Sequence, residues 1–408
     1  MKSIEDINTK VAAKTAVVLT ASELKKRIRA GDAVTAEDVD VVTCGTFGIM
    51  SGTAAVIAFQ AAEPGTFRHA TSMTLNGVPT HLGPCPNESN GHVDAMIYGT
   101  AASSRTGYGG GHLFADLVEK KSVEVVIETD AGTITKMITI DEMSSARMIV
   151  TRGAFKNYMA FVNPSPDELT TIFSVTPMQG NMSEATFSGC GEINPLENDP
   201  TLRFHTPGTG ALVNGASGII LGTGTRSSAA KPNLSLAADM KGMDPNLMGG
   251  FKMPTACECL TSVATAIPVT DDAALAALSV LDETISLPVA DVMNRTAFDA
   301  ATYADAWSGD ARVRVDPTKC TPECSRCRDL CPRGAIREDL SITKSCMGCL
   351  TCVAACPAGA YSANGGTLRT SSREIKIVLR QSDRVRGELA ARSLRDRIRS
   401  GSWRFGGV

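Results

Sequence analysis

The chain has 408 residues, 43% hydrophobic and 20% charged, which is ample for a buried core and allows two or three domains. A formal net charge of -3 and 5% aromatic residues argue against nucleic acid as the main partner, because neither a basic footprint nor base-stacking platforms are supplied. No apolar run approaches the ~20 residues of a membrane span, and Met1 to Lys10 is polar, unlike a secretory leader, so no membrane role and a cytoplasmic location are expected.

Residues 1–310 read as an α/β or α+β body, 311–365 as a cysteine-rich unit and 366–408 as a basic tail. The first predicted helix is Thr20 to Ala30, with Ser22 as its cap. A strand from Val39 to Thr43 ends at Cys44, followed by Gly45-Thr-Phe-Gly48 and a helix-like Met50 to Ala62. A cysteine between a strand and a helix start tends toward thiolate, so Cys44 is a catalytic candidate; a small buried residue is the alternative. Cys85 is the second, held in Gly83-Pro-Cys-Pro-Asn-Glu88 by two prolines that fix the backbone around its thiol. His81 and His92 flank that loop at no metal-binding spacing, and His81 stays an acid–base candidate.

Arg105-Thr-Gly-Tyr-Gly-Gly-Gly-His112 leads into a predicted helix from Leu113 to Lys121. Free amides at Gly109, Gly110 and Gly111 beside His112, with the guanidinium of Arg105, would form an anion-binding hollow; a flexible turn is the alternative. Strands follow at Ser122 to Glu128 and Gly132 to Ile140. Cys190, Cys257 and Cys259 are further free thiols that could relay sulfur, ligate a metal or be buried for packing. A helix is expected at Asp271 to Leu281. Nucleotide-binding glycine motifs are absent, since no GxGxxG follows a strand and no GxxxxGK[ST] occurs.

Two cysteine quartets then appear, Cys320, Cys324, Cys327, Cys331-Pro and Cys346, Cys349, Cys352, Cys356-Pro. This run holds a cubane on three thiolates and lends the fourth to the other cluster. It predicts two 4Fe-4S clusters, one on Cys320, Cys324, Cys327 and Cys356, the other on Cys346, Cys349, Cys352 and Cys331. The echo of Cys331-Pro-Arg-Gly-Ala-Ile336 in Cys356-Pro-Ala-Gly-Ala-Tyr361 adds an internal repeat, and residues 311–365 resemble a bacterial-type ferredoxin domain with two 4Fe-4S clusters. One spacing departs from the usual pattern, with three residues between Cys320 and Cys324. Structural zinc and disulfides are weaker explanations, because zinc takes four ligands in two pairs and nothing suggests secretion.

The tail carries a strand, Glu374 to Leu379, and a helix from Ser382 to Ile398. Eleven Lys/Arg and four Asp/Glu lie between Arg369 and Arg404, with Val385, Leu389, Leu394 and Ile398 interleaved. A solvated or subunit-docking helix is expected, which leaves a homo-oligomer open.

Tyr108 to Val118, Ala185 to Pro200 and Val42 to Gly48 resemble the homocysteine-biosynthesis, sulfur-incorporating family. With the ferredoxin-like quartets and Gly83 to Glu88, the whole chain resembles the methanogenesis marker 16 metalloproteins. The resemblance implies sulfur transfer to a small anionic aldehyde, with a sulfur donor and a low-potential electron donor as partners. It offers sulfoacetaldehyde to coenzyme M as the first expectation and aspartate semialdehyde to homocysteine as the alternative. A sulfonate with three acceptor oxygens suits the glycine hollow and Arg105, whereas an amino acid also needs an acceptor for its ammonium. A non-catalytic electron-transfer subunit of a larger redox complex is the reading from another class, but a pure carrier needs no 310-residue body. An iron–sulfur scaffold using Cys190, Cys257 and Cys259 is a third.

Overall fold

The computed structural model describes all residues except 84–86, 311, 322 and 407–408, with the side chains of 87 and 88 also outside the description. The fold is mixed α/β with several sheets. An 11-stranded sheet runs in the order Val18–Thr20, Val41–Ile49, Cys257–Pro268, Gly210–Val213, Ala216–Thr223, Leu234–Asp239, Met143–Gly153, Thr53–Gln60, His92–Tyr98, His81–Leu82, and Met248–Lys252 also pairs with Cys257–Pro268. Only its first pair is parallel among these ladders. A four-stranded sheet of Val78–Pro79, Ala70–Leu75, Val123–Thr129 and Gly132–Ile138 packs with it into the main apolar core, which includes Phe59, Phe114, Ile127 and Met148.

Val41–Ile49 is buried along nearly its whole length. A strand covered on both faces needs small or apolar residues throughout, which Val-Val-Thr-Cys-Gly-Thr-Phe-Gly-Ile supplies. The C-terminal helix Arg384–Arg399 covers one face, and it crosses so closely that a Cβ on Gly45 would overlap the carbonyl of Gly387. The expected helix Met50 to Ala62 is instead the strand Thr53–Gln60. Its inward residues Ala55, Ile57 and Phe59 alternate into the core, a period of two that the alanines disguise.

The other elements follow their local chemistry. Ala21–Arg29 is capped by Thr20 in a reciprocal capping box with Glu23, and Ser22, the expected cap, donates to Glu388 at 2.6 Å. The helix near 271–281 is shorter than expected, Asp272–Ala277, with Asp271 as its cap. Val123–Thr129, Gly132–Ile138 and Gly110–Val118 stand close to their expected positions.

A six-stranded sheet follows the order Ala297–Thr302, Ser286–Asp291, Ala160–Val162, Glu184–Phe187, Glu374–Arg380, Thr367–Arg369. The tail strand Glu374–Arg380 therefore lies inside a sheet built from the body. The tail helix buries Ala390, Leu394 and Ile398 against the large sheet, while Val385 and Leu389 remain exposed. Between the two halves of this sheet the chain makes its cysteine-rich excursion. Arg314–Val315 pairs with Tyr361–Ser362, bringing the ends of the excursion together. No helix among the described residues is long and apolar enough to cross a membrane.

Candidate active-site cavity and the cysteine quartets

The turn Met50 to Gly52 forms one wall of a cavity of about 300 Å³. Met50 N–H donates to Cys259 O at 2.8 Å, and Thr151 N–H donates to Gly52 O at 2.8 Å, so the turn is fastened between the strands that carry residues 258 and 152. Ser188, Gly189, Gln381 and Ser382 form a second wall. Ser382 Oγ accepts the Gly189 N–H at 2.8 Å and lies 3.1 Å from Ser188 Oγ. Gly48 bridges to Ser382, and a Cβ there would come within 2.9 Å of that hydroxyl. Glycine at position 48 thus lets the two walls meet.

Three guanidinium groups face this space: Arg152, Arg226 and Arg295. Arg152 is half-buried, stacks over the Phe155 ring at 5.2 Å, and its Nε has no hydrogen-bond partner among the described residues. Arg226 and Arg295 are exposed at the rim, Arg295 over the Phe173 ring at 5.2 Å. Glu258 is the one carboxylate of the lining among the described residues, 9% exposed, and its Oε2 is buried without a partner. Burial pushes its carboxyl above the usual range, against a hydrogen bond from Ser51. Strand alternation sends Glu258 to the cavity face and its neighbours Cys257 and Cys259 to the other. There a Cβ on Gly109 would sit 2.6 Å from Cys257 Cβ, and one on Gly99 2.7 Å from Cys259 Cβ.

The residues singled out in the sequence are distributed otherwise. Cys44 is fully buried in mid-strand opposite Thr265, not at a helix start, and is not part of the cavity wall. Burial pushes its thiol up to about 12, against the field of Lys25. Gly45 beside it serves the close approach of Arg384–Arg399, while Gly48 lies at the cavity wall. Cys85 lies outside the described residues. His81 is exposed with its ring 5.2 Å from Tyr98, and His92 is exposed at the start of its strand.

The Gly109 to Gly111 amides do not form an open hollow. Gly110 N–H donates to Ala101 O at 2.9 Å, Gly111 N–H to Gly99 O at 2.8 Å, and His112 N–H to Gly109 O at 2.9 Å. A Cβ on Gly110 would overlap Tyr98 O, so the glycines allow close packing of the helix start. Arg105 is half-exposed and pairs with Glu124 at 3.2 Å. His112 stacks on Tyr108 at 5.5 Å; burial, with Arg333 adding to it, lowers its imidazole to about 4. Cys190 is fully buried behind the cavity wall, where Thr46 Oγ1 donates to its Sγ at 3.5 Å.

Sequence reasoning misses Arg152, Arg226, Arg295 and Glu258, which come from separate strands and turns and form no local motif. The one available signal is Glu258, a lone charge in the wholly buried strand Cys257–Pro268.

In the cysteine-rich excursion, Cys331, Cys346, Cys349 and Cys352 line a small apolar cavity with Val313, Ile336, Ile342, Met347 and Leu350. Those four thiols mix one member of the first quartet with three of the second. Cys320, Cys327 and Cys356 pack with Ala360 and Tyr361 in an apolar cluster that Cys331 and Cys352 also join. The repeat is also structural: Cys331 Sγ accepts the Ala335 N–H at 3.2 Å and Cys356 Sγ the Ala360 N–H at 3.3 Å, with Gly334 and Gly359 left-handed at φ 57° and 62°. All described cysteines are free, and no three His, Cys, Asp or Glu side chains among the described residues converge on a single-ion site. The thiol donor set, the apolar surroundings and the N–H···S bonds fit a cluster.

The second quartet is fastened to the body. Arg380 N–H donates to Cys349 O at 3.1 Å, and Cys349 and Met347 pack with Phe47, Phe251, Leu260 and Leu379. Phe47 stands between Thr46 and Gly48, both of which line the larger cavity.

The sequence matches the family described as "Homocysteine biosynthesis enzyme, sulfur-incorporation" over residues 16–405. It is 44% identical to an uncharacterised protein of Methanothermobacter thermautotrophicus, covering 99% of this chain and 95% of that one. An uncharacterised protein of Methanocaldococcus jannaschii is 40% identical, covering 95% and 98%. The L-aspartate semialdehyde sulfurtransferase of the same organism is 31% identical, covering 71% of this chain and 58% of its own length. No solved structure matches. The chain belongs to the sulfur-incorporation family, a family of sulfurtransferase enzymes.

Proposed function

We propose that this sulfur-incorporating enzyme converts aspartate semialdehyde to homocysteine, adding sulfur at the sulfide level and reducing the adduct to a thiol. The supporting observation is the cavity, where Arg152, Arg226 and Arg295 surround about 300 Å³ in a chain whose relative is named for that aldehyde. Guanidinium groups are suited to a carboxylate, since their fixed fork matches its two oxygens. The rim arginines draw the anion in, and Arg152, already held against Phe155, fixes its end so that the aldehyde carbon lies inside.

Hydrosulfide forms the C–S bond as the carbonyl π pair moves to oxygen, which takes a proton. That hydroxyl leaves as water with a second proton, the S–H proton is lost, and a thioaldehyde results. Two electrons and two protons then give the thiol, so the balance is aldehyde, hydrogen sulfide, two electrons and two protons to thiol and water. Two 4Fe-4S clusters, on Cys320, Cys324, Cys327 and Cys356 and on Cys331, Cys346, Cys349 and Cys352, supply single electrons when bound. Arg380 and the apolar packing of Phe47 on Cys349 hold the second of these sets next to the cavity wall. The partners are a sulfur donor and a low-potential electron donor.

Sulfoacetaldehyde, giving coenzyme M, is the competing substrate. Its physical support in the sequence is the Gly109 to Gly111 amides with Arg105; the Gly110 and Gly111 amides are bonded within the fold and Arg105 is paired with Glu124. The test is an anaerobic assay of cluster-reconstituted protein with sulfide, a reductant and both aldehydes, measuring each thiol. Replacing Arg152 by Ala should raise KM for the aldehyde while iron content stays the same. An unchanged KM would remove Arg152 from the site.

A further inference from the structure

Glu258 sits in this site at odds with the rest of its surroundings. It is 9% exposed, lines the cavity, and one carboxylate oxygen has no partner among the described residues. The groups that act on its charge are its own burial and the hydrogen bond from Ser51; among the described residues no lysine or arginine offsets it. A carboxylate taken from water without a cation is costly, and such a group is stable as an ion only when a cation arrives with the ligand.

The geometry around it supplies the rest of an amino-acid site. Met50 N–H is bonded to Cys259 O, next to Glu258, and Gly52 O is bonded to Thr151 N–H, next to Arg152. One short turn therefore links the strand that carries the carboxylate to the strand that carries the guanidinium, and both side chains line the same cavity. A ligand with a carboxylate and an ammonium on one carbon pairs with both, whereas a simple anionic aldehyde pairs only with the arginines. Glu258 is also the acceptor that the ammonium of an amino-acid aldehyde requires.

We infer that Glu258 is the specificity-determining residue of the cavity, accepting the α-ammonium of an amino-acid aldehyde and so selecting it over anionic aldehydes that lack an amine. This rests on the sulfur-incorporation reading and names the substrate class within it.

The test uses full-length reconstituted protein and its Glu258→Gln variant, which keeps the shape and removes the charge. Turnover is measured with aspartate semialdehyde and with succinate semialdehyde, the same aldehyde without the amine. In parallel, equilibrium binding is measured with L-homoserine and 4-hydroxybutyrate, unreactive alcohols that differ in the same way. The expected result is a loss of about 50-fold in kcat/KM for aspartate semialdehyde, mostly in KM, with succinate semialdehyde changed by less than about 3-fold. Homoserine binding should fall by a similar factor and 4-hydroxybutyrate binding should hold, which also shows that the variant is folded.

Equal losses on both aldehydes would overturn the proposal and make Glu258 a proton donor instead. Unchanged homoserine binding would overturn it as well. If the wild type binds homoserine through Glu258 but forms thiol from no aldehyde, the sulfur-incorporation reading fails and the ammonium site stands.

Discussion

The guanidinium of Arg386 donates to the carbonyl oxygen of Cys346 at 2.9 Å. The same side chain reaches Asn246 O at 2.8 Å, also donates to Lys344 O, pairs with Asp383, and lies 5.5 Å over the Phe47 ring. One arginine of the tail helix thus ties the second cysteine quartet, the large sheet and the cavity strand together.

Arg386→Gln should lower stability by about 3 kcal/mol, because Asp383 would be left buried without its cation. Denaturant unfolding of the anaerobic protein checks this. A loss confined to the cysteine-rich unit, seen as faster iron release with an unchanged unfolding midpoint, would mean that Arg386 serves only the local clamp.

Reconstituted protein should carry about eight irons per chain, four for each quartet. Cys331→Ala should remove the signal of the set completed by Cys346, Cys349 and Cys352, whose thiols share its cavity, and spare the other. Electron paramagnetic resonance of the two variants Cys331→Ala and Cys356→Ala distinguishes this from uncrossed ligation, in which each deletion would strike its own quartet.

Gly45→Ala should destabilise the protein by about 3 kcal/mol, since the added methyl meets the Gly387 carbonyl and a packed core yields little. Cys44→Ser, one residue away, should leave kcat within about 3-fold, because a thiol near 12 is protonated at neutral pH and this one is buried away from the cavity. A large loss of turnover without loss of stability would return Cys44 to the chemistry.

His112 gives a pH dependence of stability. Its folded value is about 4 against an ordinary 6.5, so between these values the unfolded chain binds a proton that the folded chain does not. Stability is full above about pH 6.5 and falls as the pH drops toward 4. In His112→Asn the slope of unfolding free energy over that window should be shallower than in the wild type. An identical slope would show that other groups set it.

Much of the frame is legible in the sequence, and the reasons differ by element. Val123–Thr129 and Glu374–Arg380 declare themselves by alternation, and the cysteine quartets by spacing that chance does not produce. Thr53–Gln60 reads as helix because alanines interrupt its alternation and glycines precede it. The Gly109 to Gly111 run reads as an anion hollow because sequence shows available amides but not the carbonyls of Gly99 and Ala101 that take two of them. The cavity is scarcely legible: Arg152, Arg226, Glu258 and Arg295 lie far apart in the sequence and meet only through the fold. Glu258 alone leaves a trace, as a charge without a visible partner in a buried strand.

The most direct measurement is anaerobic turnover of the reconstituted protein with sulfide, a low-potential reductant and either aspartate semialdehyde or sulfoacetaldehyde, with both thiols quantified. Homocysteine is the expected product, with kcat/KM for aspartate semialdehyde higher by more than ~10-fold, a difference of ~1.4 kcal/mol in transition-state stabilisation. A preference of that size for sulfoacetaldehyde, with coenzyme M as the product, would contradict it.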